Sequence, residues 1–170
     1  MTKMIKLKNI YKKHMSNIAS ILKLEDEIKI IEAIGEIIWE KKEETDDFSA
    51  LTDGEKVFVY VDIFEGAMGE GGFSFFFTSE AGDFVEDIII AYKEIKAFKT
   101  AELISKAWSL FPAKAYSPDV EIRRNFIKKA DETLIGGWED LDEQFFSEEG
   151  EDIVTLIVDY IKANETEFGA

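Results

Sequence analysis

Proline is nearly absent from this chain of 170 residues, which contains only Pro112 and Pro118. Because proline breaks helix interiors, such a sequence is free to be helical over most of its length. Apolar residues also recur at steps of three and four, which places them on one face of a helix. We therefore predict an all-α protein in which residues 1–170 form a single compact domain of about seven to nine helices.

Several helix boundaries carry start signals in the sequence. Thr52 and Glu55 have the spacing of a capping box, and a second pair of this kind begins at Asp83. Ser117 followed by Pro118 is typical of an N-cap with proline at the first helical position. Other predicted helices cover residues 1–23, 26–44, 100–111, 138–146 and 151–164.

Glycine separates two segments whose β-branched and aromatic residues also suit strands. We favour helix over strand for residues 57–63 and 73–77. Between them, residues 66–72 contain four glycines and are predicted to form a flexible break. A phosphate-binding loop is not expected there, since neither G-x-G-x-x-G nor a following Gly-Lys-Ser/Thr is present. Gly136 and Gly137 predict another break.

Residue types that commonly carry catalysis or bind metals are scarce. There is no cysteine, and the one histidine, His14, stands among lysines with no acid nearby in sequence. The acidic stretches 139–143 and 148–152 lack the loop pattern of an EF-hand. We therefore expect no enzymatic activity, no metal and no cofactor; an enzyme that uses buried carboxylates in a deep pocket is the alternative.

The charge of the chain is split between a basic N-terminal segment and an acidic remainder. Residues 1–23 contain six lysines and no acid, whereas the whole chain has 36 Asp and Glu, 20 Lys and Arg, and a net charge of −16. A body this acidic repels nucleic acid and anionic lipid and attracts basic surfaces. The predicted partner is therefore a basic protein, with no direct binding to nucleic acid or membrane.

Two groups of acids are the candidate partner-binding surface. One lines a face of the second predicted helix, where like charges at this spacing cost about 0.2–0.5 kcal/mol per pair. The other lies in residues 131–170, which contain thirteen acids and one lysine. A merely solvated face is the alternative, because acids near helix starts are favoured by the helix dipole. The candidates are Glu32, Glu36, Glu40, Glu43, Glu44, Glu139, Asp140, Asp142, Glu143, Glu148, Glu149, Glu151 and Asp152.

The basic segment 1–23 is predicted to form an amphipathic helix. It does not have the form of a secretory signal, because lysines interrupt its apolar pairs before Met15. No apolar run in the chain approaches the roughly 18 residues of a membrane span. We expect a cytoplasmic protein whose basic helix docks on the acidic body or helps to form a homodimer. The apolar residues of this helix are Met4, Leu7, Tyr11, Met15, Ile18 and Leu22.

A short aromatic stretch, Glu-Gly-Gly-Phe-Ser-Phe-Phe-Phe-Thr-Ser at residues 70–79, resembles a bacterial family of small helical domains. The member that gave this family its name is a DNA mimic. Glu70 and Phe75 depart from the family pattern, and we interpret its aromatic residues as fold determinants that face the core. The matching positions are Gly71, Gly72, Phe73, Phe76, Phe77, Ser79 and Gly82.

A second block, at residues 138–164, also resembles this family, so the resemblance covers residues 52–167. It implies an all-helical fold and no known enzymatic activity. For the name-giving member it implies binding to a transcription factor through a DNA-like acidic surface.

The leading hypothesis is a non-enzymatic acidic protein that binds a basic surface, such as that of a DNA-binding regulator, by DNA mimicry. One alternative is an immunity-type inhibitor of a basic toxin such as a nuclease. Another is a structural or interaction domain with a different partner. Surface charge alone does not separate these alternatives.

Overall fold

The computed structural model describes residues 18–43, 45, 47–112, 115–130, 132–147 and 149–168. Within these ranges every regular element is helical, so the all-α prediction is confirmed. Residues 18–21 are helical, whereas the rest of the predicted N-terminal helix up to residue 17, with His14, lies outside the described residues. The elements are α1 (Glu27–Lys42), α2 (Asp53–Thr78), α3 (Val85–Glu94), α4 (Phe98–Ser109), α5 (Val120–Ile127), α6 (Glu132–Phe145), α7 (Ile153–Ala163) and the 3-10 helices Glu80–Phe84 and Glu165–Glu167.

The chain divides into two compact units. Unit 1 comprises the residues up to Val59 and from Asp152 onward, and unit 2 comprises Tyr60–Glu151. The single domain over residues 1–170 stays a prediction.

The core of unit 1 forms where α1 packs against α7. Each helix buries residues three or four positions apart, which is the spacing of one helical face. Burial of such a side chain contributes about 1.5–3 kcal/mol. The buried aliphatic side chains of the two helices are Ile30, Ile34, Ile38, Ile157, Val158 and Ile161.

The longest helix, α2, contains both segments for which a strand was the alternative, so the helix prediction is confirmed for residues 57–63 and 73–77. Its helical geometry is interrupted at Gly71 and at Gly72, which has a φ of +63°. Residues that carry a side chain rarely adopt this backbone conformation, whereas glycine adopts it without strain. The predicted break is thus confined to this pair.

The core of unit 2 is an aromatic cluster around the end of α2. Phe73, Phe76 and Phe77 are fully buried, which confirms that they face the core. The ring of Phe77 stacks on Trp138 with centroids 5.0 Å apart. The indole nitrogen of Trp138 donates a hydrogen bond of 3.0 Å to the carbonyl oxygen of Ala107, so its polar atom is satisfied inside the core.

The capping box at the start of α2 is confirmed. The backbone N–H of Glu55 donates to Thr52 Oγ1 at 3.1 Å, and the N–H of Thr52 donates to Glu55 Oε2 at 2.9 Å. Two backbone donors at this helix start therefore have partners.

Two other predicted start signals were wrong. α3 begins at Val85, close to the predicted start, but its N-cap is Phe84 rather than Asp83. The carboxylate of Asp83 accepts a hydrogen bond of 2.6 Å from Arg123 instead. α5 has Asp119 rather than Ser117 as its N-cap, and the hydroxyl of Ser117 accepts the N–H of Asp119 instead. Aspartate and serine are similarly good caps, so the local pattern did not decide between them.

The predicted break at Gly136 and Gly137 was also wrong, because α6 runs through both residues. A Cβ atom at Gly137 would lie 2.7 Å from Leu110 Cδ1. This glycine therefore permits a close approach between helix and side chain rather than a turn.

Candidate acidic interaction surface

The acids predicted on the second helix form a row on the exposed side of α1, called the α1 row below. Glu32, Glu36 and Glu40 are exposed, and Glu43 follows at the C-cap, also exposed. Steps of three and four residues keep these side chains on the face opposite the buried isoleucines. Glu44, the fifth predicted member, lies outside the described residues.

The lysines of α1 are engaged elsewhere. Lys29 lies 3.7 Å from the N-cap aspartate of its own helix. Lys41 Nζ donates to the fully buried Glu55 at 2.7 Å, and Lys42 lies over the ring of Phe48, 6.0 Å from its centroid. No ion pair within the described residues involves a carboxylate of the α1 row. Among the described residues, the row therefore has no counter-charge.

The charge density of the α1 row can be compared with that of DNA. Residues 32–43 rise about 16 Å along a helix axis, so the charges are about 5.5 Å apart. The phosphates of one strand of duplex DNA are about 3.4 Å apart along its axis. The row alone is thus less dense in charge than a DNA strand, and a DNA-like surface requires further acids.

A second set of unpaired acids lies in unit 2, in and after α6. Glu139, Asp140 and Glu143 are exposed on this helix, whose buried face includes Trp138. Glu149 is exposed in the segment that follows. None of these four carboxylates makes an ion pair or hydrogen bond with a described residue. Glu139, Asp140 and Glu143 are called the α6 acids below.

Two of the predicted surface acids hold the fold of unit 2 instead. Asp142 Oδ1 accepts a hydrogen bond of 2.9 Å from the backbone N–H of Phe73. The pKa of this carboxyl is raised, mainly because it is partly buried. Glu151 accepts the N–H groups of Lys99 and Thr100 at 3.1 and 2.8 Å and thereby caps the start of α4. Their carboxylates are already engaged within the fold.

A third predicted acid, Asp152, is the N-cap of α7 in unit 1. Its Oδ1 accepts the N–H of Thr155 at 3.0 Å, as expected from an acid that stabilises a helix start. Glu148 lies outside the described residues.

Sequence reasoning left out three exposed acids of unit 1 that share the properties of the α1 row. Asp159 lies on α7 opposite its buried face, a position that a helical wheel would have identified. Glu165 and Glu167 follow on the last 3-10 helix. None of the three pairs with a described cation.

One acid of unit 2 belongs to the core. The hydroxyl of the buried Tyr92 donates to Glu65 Oε1 at 2.5 Å. Burial raises the pKa of Glu65, the hydrogen bond from Tyr92 lowers it, and the negative charge of Asp62 raises it further. This carboxyl is therefore part of the internal packing rather than of an exposed acidic face.

A cavity of about 380 Å³ in unit 2 has no acid among the described residues that line it, which are Leu110, Pro112, Phe126, Ala130, Thr133 and Leu134. No described group of three or more acidic or histidine residues is arranged to hold a metal ion. None of the described helices is both long and apolar enough to cross a membrane.

Taken together, the helices and their unpaired carboxylates define a small all-α protein with acidic faces on α1 and α6. A family model described as DMP19-like protein matches residues 49–164, which is more than half of the chain. The chain therefore belongs to the DMP19-like protein family. The predicted region of resemblance, residues 52–167, differs from this match by three residues at each end.

No curated protein and no solved structure matches the chain. The family match begins after α1 and includes α2 to α7. The α6 acids therefore lie within the matched region, whereas the α1 row lies outside it.

Proposed function

We propose that this protein is a non-enzymatic acidic protein that binds the basic surface of a DNA-binding protein, such as a transcription factor, in competition with DNA. Membership of the DMP19-like family is the observation that carries the proposal. The family resemblance implies DNA mimicry for its name-giving member. The proposed site of action is the cytoplasm, where such a partner would meet DNA in a bacterium.

The unpaired carboxylates supply the physical basis for this binding. DNA-binding proteins place lysines and arginines to neutralise phosphates, and exposed carboxylates without counter-charges attract the same groups. The α6 acids lie in the family domain, and the α1 row adds a second acidic face. Because both sets are exposed, their attraction is screened over about 8 Å at physiological salt. Affinity for the partner should therefore fall steeply as salt rises.

The proposal is tested by displacement with DNA. The immobilised protein is incubated with a bacterial lysate at low salt, washed and then eluted with duplex DNA, and the eluted proteins are identified by mass spectrometry. We expect DNA-binding proteins in the DNA eluate. The affinity of one such protein is then measured for three triple variants, each of which removes three charges.

The triple variants show whether the affinity depends on particular acids or only on the net charge. One changes Glu32, Glu36 and Glu40 to Gln, and a second changes Glu139 and Glu143 to Gln and Asp140 to Asn. Three lost pairs of about 0.5 kcal/mol each correspond to roughly tenfold weaker binding. The matched control changes three exposed acids elsewhere in unit 2 to Gln, none of which pairs with a described cation, and should leave the affinity within a small factor: Glu80, Glu86 and Glu94.

Two outcomes would contradict the proposal. In the first, duplex DNA displaces none of the captured proteins. In the second, the control variant loses as much affinity as the other two, which would show that only the net charge matters. A single basic enzyme that stays bound through high salt and loses its activity would instead support the immunity-type inhibitor.

A further inference from the structure

An exposed aromatic side chain lies on the acidic face of α6. Phe146 directly follows this helix, and its N–H donates a hydrogen bond of 2.9 Å to the carbonyl oxygen of Asp142, so the helical pattern includes it. Phe146 is 60% exposed, and among the large apolar side chains of the described residues only Phe98 is more exposed. Steps of four and three residues place Glu139, Glu143 and Phe146 on one side of the helix. An aromatic ring thus continues the row of carboxylates.

The ring of Phe146 is held in place from the side of the core. It packs edge-to-face on Phe145 with centroids 5.0 Å apart, and Phe145 packs in the same way on the buried Phe64 at 5.7 Å. A phenylalanine side chain has only two rotatable bonds, so a partner that covers this ring orders little that is still free. Aromatic residues are enriched in protein interfaces. Phe146 is therefore suited to be the centre of a contact.

The carboxylates beside the ring differ in what they already bind. Asp142, one turn before Phe146, accepts the N–H of Phe73 and is engaged. Glu143 is also one turn before Phe146, and Cβ atoms at this spacing are about 5–6 Å apart. Neither Glu143 nor Glu139 makes an ion pair or a hydrogen bond with a described residue. Among the described residues, the negative charge beside the ring is therefore unpaired on the side of Glu143.

Arginine is the side chain that best fits a ring beside carboxylates. Its planar guanidinium stacks on aromatic faces, and in the same position its N–H groups point outward in the plane to carboxylate oxygens. Lysine has a compact and strongly hydrated ammonium, which does not stack in this way. Cation–π contacts are accordingly made more often by arginine. A neutral apolar partner would cover the ring but would also desolvate the carboxylates beside it, which costs free energy.

We propose that the α6 face receives an arginine side chain of the basic partner, with its guanidinium stacked on Phe146 and its N–H groups donated to Glu143. This inference rests on the proposed function, whose partner is basic, and it identifies the residue type that the partner places on α6. DNA-binding proteins use arginine to contact phosphates and guanine. An arginine held on Phe146 is not available to DNA, so this contact explains competition between the two.

The test uses the full chain and two peptides of equal charge, penta-lysine and the same peptide with arginine at its centre. NMR titration of the ¹⁵N-labelled protein at low salt gives both affinities. We expect the arginine peptide to bind about two- to fivefold more tightly, as for an exposed cation–π contact. The δ-methylene protons of its arginine should shift upfield, because they lie over the aromatic ring. Phe146→Leu should remove both the difference in affinity and the shift.

The matched control is Phe98→Leu. Phe98 is 62% exposed on α4, but Glu102, the acid one turn after it, is paired with Lys106 at 2.8 Å. This variant should keep the difference between the peptides. Equal affinities in the wild type, a difference that persists in Phe146→Leu, or its loss in Phe98→Leu would each overturn the inference and leave the proposed function standing. Binding of neither peptide would contradict both the inference and the proposed attraction to basic surfaces.

Discussion

Asp142 Oδ1 accepts a hydrogen bond of 2.9 Å from the backbone N–H of Phe73, so a carboxylate of α6 caps the helical part of α2 that follows its glycine pair. The N–H groups at the start of a helical segment have no partner within it. A negative charge at this end also matches the positive end of the helix dipole. Asp142 thus fixes the start of the segment that carries the buried aromatic residues.

Replacing Asp142 should show what this cap contributes. We expect Asp142→Ala to lower the free energy of unfolding by about 0.5–2 kcal/mol, the usual cost of a lost N-cap. Asp142→Asn keeps an oxygen acceptor and should cost less. Urea unfolding followed by circular dichroism measures both. Asp140→Ala, two residues away and unpaired, is the control, and an equal loss there would show that the cap is not the cause.

Alanine substitution should have opposite effects on the free energy of unfolding at Gly69 and Gly72, two glycines of α2. A Cβ atom at Gly72 would lie 2.3 Å from Asp142 Oδ2, and the positive φ adds strain, whereas a Cβ at Gly69 meets nothing within 4 Å. We expect Gly69→Ala to stabilise the protein by about 0.5–1 kcal/mol. Gly72→Ala should destabilise it by more than that. Thermal unfolding of the two variants gives the comparison, and a stabilising Gly72→Ala would contradict the observed break.

The helical class and the local caps could be predicted because they depend on residues close in sequence. The capping box of Thr52 and Glu55 joins residues three positions apart and formed as predicted. Asp83 and Asp142 instead bind groups 40 and 69 residues away. A local pattern contains no information on such partners, and this is why the cap predicted at Asp83 was wrong.

For the candidate surface, the sequence predicted which acids are exposed but not which charges have partners. Helical spacing placed the α1 row on one exposed face, but Lys41 stood close to the row in sequence and could have neutralised it. Its partner is the buried Glu55, which a sequence cannot reveal as buried. Acids that begin a helix were the expected exception, and Asp152 is one of them.

The fully buried Arg123 holds the other end of the aromatic segment of unit 2. The guanidinium of Arg123 is fully buried and donates to the carbonyl oxygens of Phe77 at 3.0 Å, Ser79 at 2.7 Å and Ser117 at 2.7 Å. It also pairs with Asp83 at 2.6 Å. Carbonyls at the end of α2 thereby gain partners, and the positive charge lies at the negative end of the helix dipole.

Loss of this arginine should be costly. Arg123→Met leaves three carbonyls and the partly exposed Asp83 carboxylate without their partner, and each buried acceptor left unsatisfied costs about 1–3 kcal/mol, so we expect a total loss above about 3 kcal/mol. Arg124→Met is the matched control, because Arg124 is half-exposed and makes a single contact with the end of α2, at Thr78 O. Its loss should cost about 1 kcal/mol. Unfolding in guanidinium chloride measures both losses in free energy. Similar losses for the two variants would contradict the role given to Arg123.

The hydrogen bond between the partly buried Glu65 and the buried Tyr92 belongs to a pair that should make stability depend on pH. Burial, as the largest cause, raises the pKa of Glu65 above its usual value of 4.5. The folded state therefore binds this proton more tightly than the unfolded state, and the free energy of unfolding falls as the pH rises from the unfolded pKa through the folded one. In Glu65→Gln this fall should be absent, because the amide does not titrate and its oxygen still accepts the Tyr92 hydroxyl.

Urea unfolding of both proteins across this pH range measures the difference between their slopes. Glu70→Gln, at an exposed position of the same helix, is the matched control and should retain the wild-type slope. Tyr92→Phe provides a second check, because the hydrogen bond from Tyr92 lowers the pKa of Glu65. Without that bond the folded-state pKa should rise further, so the loss of stability should extend to higher pH. A slope that is the same in wild type and Glu65→Gln would show that the carboxyl titrates equally in the folded and unfolded states.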